Sequence, residues 1–386
     1  LLISEIENIS KQADIVIVNG GLGPTVDDLT AQALAKASNT SLEQHPLALE
    51  HIQKWCKERN SQLNKPNLKQ AILPKGCKIL ANRAGSAVGF HLSLNNCQIY
   101  CTPGVPHELK IMLQEQIVPL LSSQVPENMK VSITRLQIFG IGESSLQTLI
   151  NENLPDWPET LALGFRAGLP LLEVKITSRT AESFEQKKLW LTKLKDLLGD
   201  HMISEVIKQP MSLAEHVLTL LKAQQLKITT AESCTGGLIA SLLTKHSGSS
   251  AAFEAGFITY SNEMKSTLLN VDSQILVQHG AVSGATVIAM AQGALLSSSA
   301  DLVIAVSGVA GPTGGTPEKP VGTVWIAWGS INNIQSKCLY IPVNRAQCQH
   351  YVAAIGLDLI RRVLIESEQV PIYIKERSVN KRLIKY

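Results

Sequence analysis

The stretch Thr229-Thr-Ala-Glu-Ser-Cys-Thr-Gly-Gly237 sets two nucleophile-bearing residues, Ser233 and Cys234, between a short apolar strand and a pair of glycines. Where a strand gives way to a helix, the first backbone N–H groups of the helix have no partner inside it. Such groups bind a phosphate or a developing oxyanion without any charged side chain. Capping a helix is the other use of the same hydroxyls. A serine nucleophile also needs a base. The histidines of this half are poorly placed for it: His279 precedes a glycine in a loop, and His216 and His246 fall on helices read as surface elements. A desolvated lysine can serve instead, because burial drives its pKa down toward neutrality. Tyr260-Ser-Asn-Glu-Met-Lys265, at the end of an apolar strand, offers one. Lys265 is the expected base, with a surface lysine as the alternative, and Tyr260 is expected to relay a proton or hold a departing amide.

Ser307-Gly-Val-Ala-Gly-Pro-Thr-Gly-Gly-Thr-Pro-Glu-Lys-Pro-Val-Gly-Thr323 follows a buried strand. Its glycines let backbone approach a ligand and its prolines stiffen the loop. The spacing fits neither a P-loop nor a dinucleotide fingerprint. It reads as a nucleotide- or phosphate-lining loop or as a structural crossover. Near the other end, Gly20-Gly-Leu-Gly-Pro-Thr-Val-Asp-Asp-Leu-Thr30 sets a glycine loop beside Asp27 and Asp28. Paired acids beside a phosphate-sized cradle suit a divalent metal, with Asp28 as the ligand; first-turn helix acids are the alternative. The turns 82–90 and 103–108, the latter ending in Glu108, are placed to line the same cleft.

The elements that would position these residues alternate. Strands are predicted over 14–18, 98–101, 131–139, 171–177, 227–230, 255–260, 302–306, 324–328 and 338–342. Helices are predicted over 27–36, 47–59, 144–153, 182–198, 261–269, 283–297 and 345–365, with one more running to 121, one behind the Ser212 cap and one ending at 243. This order argues for an α/β protein with covered, parallel or mixed sheets. At 386 residues the chain needs two or three domains. Hydrophobic residues at 45% and charged residues at 17% mark a globular class, and a net charge of +3 gives no case for a nucleic-acid track. The seven cysteines are dispersed, without zinc spacing, and are expected as reduced thiols in a cytoplasmic protein. No signal peptide or membrane-length apolar run is read.

In this order the motifs resemble the CinA family, the competence/damage-inducible proteins. Residues 20–30, 82–90 and 103–108 are similar to its MoaB/MogA-like, molybdopterin-binding-like N-terminal domain. Residues 231–237, 260–265, 279–283 and 307–323 are similar to its C-terminal nicotinamide mononucleotide deamidase module. The resemblance implies an N-terminal α/β domain over 1–125 and a C-terminal α/β deamidase domain over 210–368; the residues between, 126–209, read as a small α+β linking domain, and 369–386 as a basic tail. It implies a homodimer that hydrolyses nicotinamide mononucleotide to the nicotinate nucleotide and ammonia, in pyridine nucleotide recycling. Ser233 is then the nucleophile, Lys265 the base and Tyr260 the relay. Backbone near Thr235, Gly236 and Gly237 holds the oxyanion, and Glu232, Gly308, Gly311, Gly314, Thr316 and Arg345 contact the substrate. No cofactor is needed for that step. In the N-terminal site, Gly20, Gly21, Gly23, Asp27, Asp28 and Glu108 are carried over. Some members resemble an ADP-ribose pyrophosphatase there, which in this chain would use a divalent metal. Asn19 stands where the family usually has Thr, and Val88 where Pro is common. The family's opening strand and Gly-(Asp/Thr)-Glu turn are not found upstream of the glycine loop, so weak or absent pyrophosphatase activity is expected, restored by adding that segment. The alternatives are a non-catalytic nucleotide- or molybdopterin-binding module and a partner-binding scaffold.

Overall fold

The computed structural model describes residues 1–126, 131–168, 170–207 and 209–379. The chain divides into two compact units, Leu1–Lys130 and Val131–Tyr386.

In the first unit, β1 (Ile15–Asn19) lies parallel to β6 (Cys97–Thr102), and β5 (Gly89–Leu94) and β4 (Lys78–Leu80) continue the sheet antiparallel, in the order β1-β6-β5-β4. A two-stranded ribbon, β2 (Leu42–Gln44) with β3 (Ile72–Pro74), stands apart from it. The helices Thr30–Ala37 and Pro46–Glu58 cover the sheet with Leu34, Ala48 and Ile52, all fully buried. The helix expected from residue 27 begins at Thr30, so Asp27 and Asp28 are not first-turn acids. Thr25 captures both carboxylates, at 2.5 Å and 2.6 Å from its Oγ1, and holds the chain in a turn instead. This is the competition that short polar side chains offer to helical backbone.

The second unit contains two sheets. The segment after residue 130 forms an antiparallel sheet ordered β10-β7-β9-β8, from β7 (Ser132–Ile138), β8 (Leu161–Arg166), β9 (Leu172–Ser178) and β10 (Met202–Glu205). Its strands β8 and β10 were not expected from the sequence. The helices Glu143–Asn153 and Ala181–Leu198 complete its core through Leu146, Ile150, Leu194 and Leu198.

The larger sheet runs β12-β11-β13-β14-β15, with β11 (Ile228–Glu232), β12 (Phe253–Ile258), β13 (Leu302–Gly308), β14 (Thr323–Ser330) and β15 (Asn333–Tyr340). Its first three strands are parallel and the last two antiparallel. Side chains along β13 alternate between two cores. Ile304 and Val306 face the helices Leu213–Gln224, Leu238–Thr244 and Arg345–Leu364, while Val303 and Ala305 face the helix Gly284–Ser298. A strand covered on both faces must be apolar throughout, which is why 302–306 carries no polar residue. Among the described residues no helix is long and apolar enough to cross a membrane.

The expected basic tail is partly built into this core. The helix Ile372–Arg377 buries Tyr373 and Ile374, and Ser378 bridges to Leu339; residues 380–386 lie outside the described residues. Tyr373 donates its hydroxyl to Asp358 at 2.8 Å, joining a buried ion cluster. Asp358, with no exposed surface, holds Arg361 at 2.7 Å and Arg362 at 2.8 Å, and both arginines reach the carbonyl of Asp200 beside the smaller sheet. Removing one partner of such a cluster strands the other charges in low dielectric. Asp358→Asn is therefore expected to cost about 3–5 kcal/mol, measured as a drop in the urea or thermal unfolding midpoint. An unchanged midpoint would mean that solvent reaches the two arginines.

Candidate active site

Residues of β11 are buried on both faces up to Glu232, and Ser233 N–H extends the parallel ladder by donating to Val306 O at 3.0 Å. The chain then turns sharply through Gly236 and Gly237, both at positive φ (62° and 94°). A Cβ at Gly237 would lie 2.7 Å from Ile258 Cδ1, so both conformation and space require glycine there. The helix begins at Leu238.

Most N–H groups of this turn have a partner. Gly236 N donates to Ser233 O and Leu238 N to Thr235 O. Glu232 takes three more: Gly237 N at 3.0 Å, Ile239 N at 3.1 Å and Ala240 N at 2.8 Å. The carboxylate is fully buried and serves its own helix start, where the helix dipole favours an anion. Two expectations are corrected. The Glu232 carboxylate, expected to contact substrate, is enclosed and committed to the helix start, and the amides of Gly236 and Gly237 already have acceptors. Among the described residues, the N–H groups in the turn that donate to no other residue are those of Cys234, which lies beside its own sulfur, and Thr235.

Lys265 is set by a helix of its own. Ser261 caps Asn262–Leu269 by accepting from Met264 N, and one turn in, Lys265 shares the buried face with Leu269. It is 1% exposed. Its Nζ lies 3.2 Å from Ser233 Oγ, 2.8 Å from Thr259 O and 3.4 Å from Tyr260 O. Burial holds the amine below its ordinary 10.5, and the neighbouring Cys234 sulfur opposes the effect only in part. A neutral amine has two N–H donors and one lone pair. The two carbonyls match the donors, which leaves the lone pair for the Ser233 hydroxyl proton. No histidine bonds to either residue among the described hydrogen bonds. Cys234, the other nucleophile, is buried and its thiol is pushed up to about 12, so it carries almost no thiolate at neutral pH.

Tyr260 is placed otherwise than expected. Its carbonyl, not its phenol, meets Lys265. The phenol accepts from Arg345 Nη2 at 2.8 Å, and Arg345 Nη1 donates to Gly311 O at 3.0 Å. Arg345, exposed at the start of Arg345–Leu364, thus ties the glycine loop to Tyr260. A Cβ at Gly308 would lie 2.8 Å from Thr323 O, so this glycine serves close passage of the loop's own backbone. Gly314 and Thr316 lie in an exposed outer turn, which Thr316 closes by accepting from Lys319 N. No bond links either to Ser233 or Lys265. One contact has no counterpart in the sequence reading: Gln349, also on the helix Arg345–Leu364, donates to Cys234 O at 2.9 Å.

In the first unit the parallel pairing of Asn19 with Thr102 brings the turns after β1 and β6 together, at the carboxyl ends of strands where α/β folds bind ligands. Gly20 approaches Gly104, and Thr30 Oγ1 donates to Gly20 O at 2.8 Å. A Cβ at Gly21 would strike Thr30 Oγ1. Glu108 accepts from Asn82 at 2.8 Å and fills the space beside Gly85. Gly21, Gly23, Asp28, Lys65 and Lys69 line a cleft of about 460 Å³. Burial works against the ionised form of Asp28, but hydrogen bonds from Thr25 and Gly23 and the Lys69 charge outweigh it and hold the carboxyl below its usual range. Among the described residues no three His, Cys, Asp or Glu side chains gather to hold a metal. Asp27 and Asp28 are turned onto Thr25 and do not by themselves form the expected metal site.

The geometry can be set beside known proteins. A family model described as the CinA C-terminal domain matches residues 210–364, and one described as a probable molybdopterin binding domain matches 2–123. A CinA-like protein of Colwellia psychrerythraea is 60% identical over 378 residues, covering 98% of this chain and 88% of that protein. The chain belongs to the CinA family. A CinA-like protein of Shewanella denitrificans is 40% identical over 373 residues, covering 96% and 87% of the two chains. Among solved structures, the competence/damage inducible protein CihA from Agrobacterium tumefaciens is 38% identical, covering 41% of this chain and 99% of its own, with a TM-score of 0.39. In this CinA-family chain the Ser233–Lys265 pair lies inside the segment matched by the C-terminal model, and the cleft at Asp28 inside the segment matched by the N-terminal one.

The role of Glu232 can be checked by substitution. Glu232→Gln exchanges one acceptor oxygen for an amide NH2 that faces helix N–H donors. It is expected to cost about 1–3 kcal/mol, the loss from leaving buried donors unpaired, and to raise hydrogen exchange at Gly237, Ile239 and Ala240. Unchanged exchange at these three amides would remove the capping role.

Proposed function

We propose that this chain is an amidohydrolase that converts nicotinamide mononucleotide to nicotinate mononucleotide and ammonia, through Ser233 and Lys265. The observation that carries the reading is the buried lysine, with two carbonyls on its donors and Ser233 Oγ 3.2 Å away.

The neutral amine of Lys265 takes the hydroxyl proton as Ser233 Oγ attacks the carboxamide carbon. The carbonyl oxygen becomes an oxyanion and is met by the N–H groups of Cys234 and Thr235. When the tetrahedral intermediate collapses, the C–N bond breaks and the lysine ammonium returns its proton to the departing nitrogen, releasing ammonia. A water molecule then attacks the acyl ester. Lys265 takes a proton from the water and returns one to Ser233, and the carboxylate leaves. Arg345 keeps Tyr260 and Gly311 together at the rim. Its free N–H groups and the start of a 20-residue helix suit the nucleotide's phosphate. The substrate class comes from the resemblance of residues 231–237, 260–265 and 307–323 to the family's deamidase module, and these residues lie within the segment matched by the CinA C-terminal model.

The test is ammonia release from nicotinamide mononucleotide by the full chain, with the nicotinate nucleotide identified as product. Binding of the nucleotide with no ammonia released would replace this reading with that of a binding module.

A further inference from the structure

We infer that Gln349 is a positioning residue that aims the Thr235 amide at the oxyanion. The inference rests on the amidase reading above. A trans peptide unit is planar, so its C=O and N–H point in opposite directions. The unit between Cys234 and Thr235 carries both the carbonyl held by Gln349, at 2.9 Å, and one of the two turn amides that donate to no other residue. Pinning the carbonyl toward the helix Arg345–Leu364 turns the Thr235 N–H away from that helix. Nothing else in the turn performs this task. Glu232 fixes the peptides from Gly237 onward, and Ser233 N is fixed on Val306 O. The peptides on either side of it are held within the turn, since Ser233 O accepts from Gly236 N and Thr235 O from Leu238 N, so the peptide following Cys234 is the one whose carbonyl is held from outside the turn. A flip would replace the donor by a carbonyl oxygen that repels the oxyanion.

Gln349 is well placed for this. It is half-buried on the first turns of a long helix whose later residues are packed into the core, so its backbone cannot drift. It does not bond to Ser233 or Lys265, so its effect passes through the Cys234–Thr235 peptide alone. Losing one oxyanion donor elsewhere typically costs 10²–10³ in turnover.

The experiment compares the full-length wild type with Gln349→Leu and Gln349→Glu, using nicotinamide mononucleotide and its thioamide analogue. Glu keeps the shape of Gln but has no Nε2 donor, so it tests the bond even if the Leu variant fails to fold. Both variants should lose about 100- to 1,000-fold in kcat, with KM little changed and the thermal midpoint near wild type. Sulfur accepts hydrogen bonds poorly, so the wild type should strongly prefer the oxygen substrate, and that preference should shrink in the variants. A raised KM with kcat retained would make Gln349 a substrate contact and overturn the inference, as would wild-type turnover in Gln349→Glu. An undiminished preference for oxygen over sulfur, despite lost turnover, would also overturn it. Absence of ammonia release by the wild type would overturn the amidase reading itself, and the inference with it.

Discussion

Ser233→Ala is expected to abolish ammonia release, lowering kcat by about 10³-fold or more, while leaving the unfolding midpoint near that of the wild type. The two effects separate because of where the hydroxyl stands. It does not cap the helix, since the N-cap position is Gly237 and makes no side-chain cap. Its described side-chain partner is Lys265. Loss of the Oγ removes a single hydrogen bond, worth about 1 kcal/mol, and leaves the lysine its two carbonyl acceptors. The backbone bond from Ser233 N to Val306 O is untouched. A purified variant that keeps a tenth of wild-type turnover would show that Ser233 is not the nucleophile. Cys234 would not readily take over, with its thiol pushed up to about 12 by burial.

Lys265→Met should reduce kcat by a comparable factor with little change in KM, and in doing so should alter both pH profiles of the protein. Met keeps the aliphatic stem in its buried slot and removes the amine. In the wild type, turnover should rise with pH as Lys265 loses its proton, at a pH below its ordinary 10.5. That limb should vanish in the variant. The stability effect has a definite sign. Below the folded-state pKa both folded and unfolded chains hold the proton, and the fold carries the full cost of a buried ammonium. Between the depressed folded value and 10.5 the unfolded chain binds more protons, so stability rises with pH; above 10.5 the cost is gone. Lys265→Met should therefore be the more stable protein at neutral pH and should lack that rise. Urea midpoints for both proteins, at neutral pH and again well above it, decide the matter. A steady kcat with a raised KM would instead assign the lysine to phosphate binding.

How much of the site could be read in advance depended on the range of the interactions. The strand before Ser233, the glycines after it and the helix carrying Lys265 are local patterns and were legible. The pairing of Ser233 with Lys265, 32 residues apart, was expected from residue type, but their contact is not a local pattern; the parallel pairing of β11 with β12 supplies it. Glu232 was misread because an acid beside a nucleophile looks like a substrate ligand, whereas the fold turns it back on its own helix. Tyr260 was placed by residue type, and its phenol went to Arg345. Gln349 is 115 residues from the carbonyl it holds, and an isolated Gln carries no signal. The strands β8 and β10 carry weak local signals, because Leu161–Arg166 contains a glycine and an arginine and Met202–Glu205 has four residues. Both are strands because β9 and β7 offer them free edges.

The sequence by itself determined the α/β class, the CinA family, the glycine turn at the end of a buried strand and the residue types of a serine–lysine site. The class and the turn follow from composition, periodicity and glycine placement, which act over a few residues, and the family from the resemblance of the ordered motifs. Only the tertiary structure decided that Lys265 is buried against Ser233, that Glu232 accepts from its own helix start, and which amides of the turn donate to no other residue. Each of these depends on which groups are removed from water together, and desolvation is a property of the packed chain.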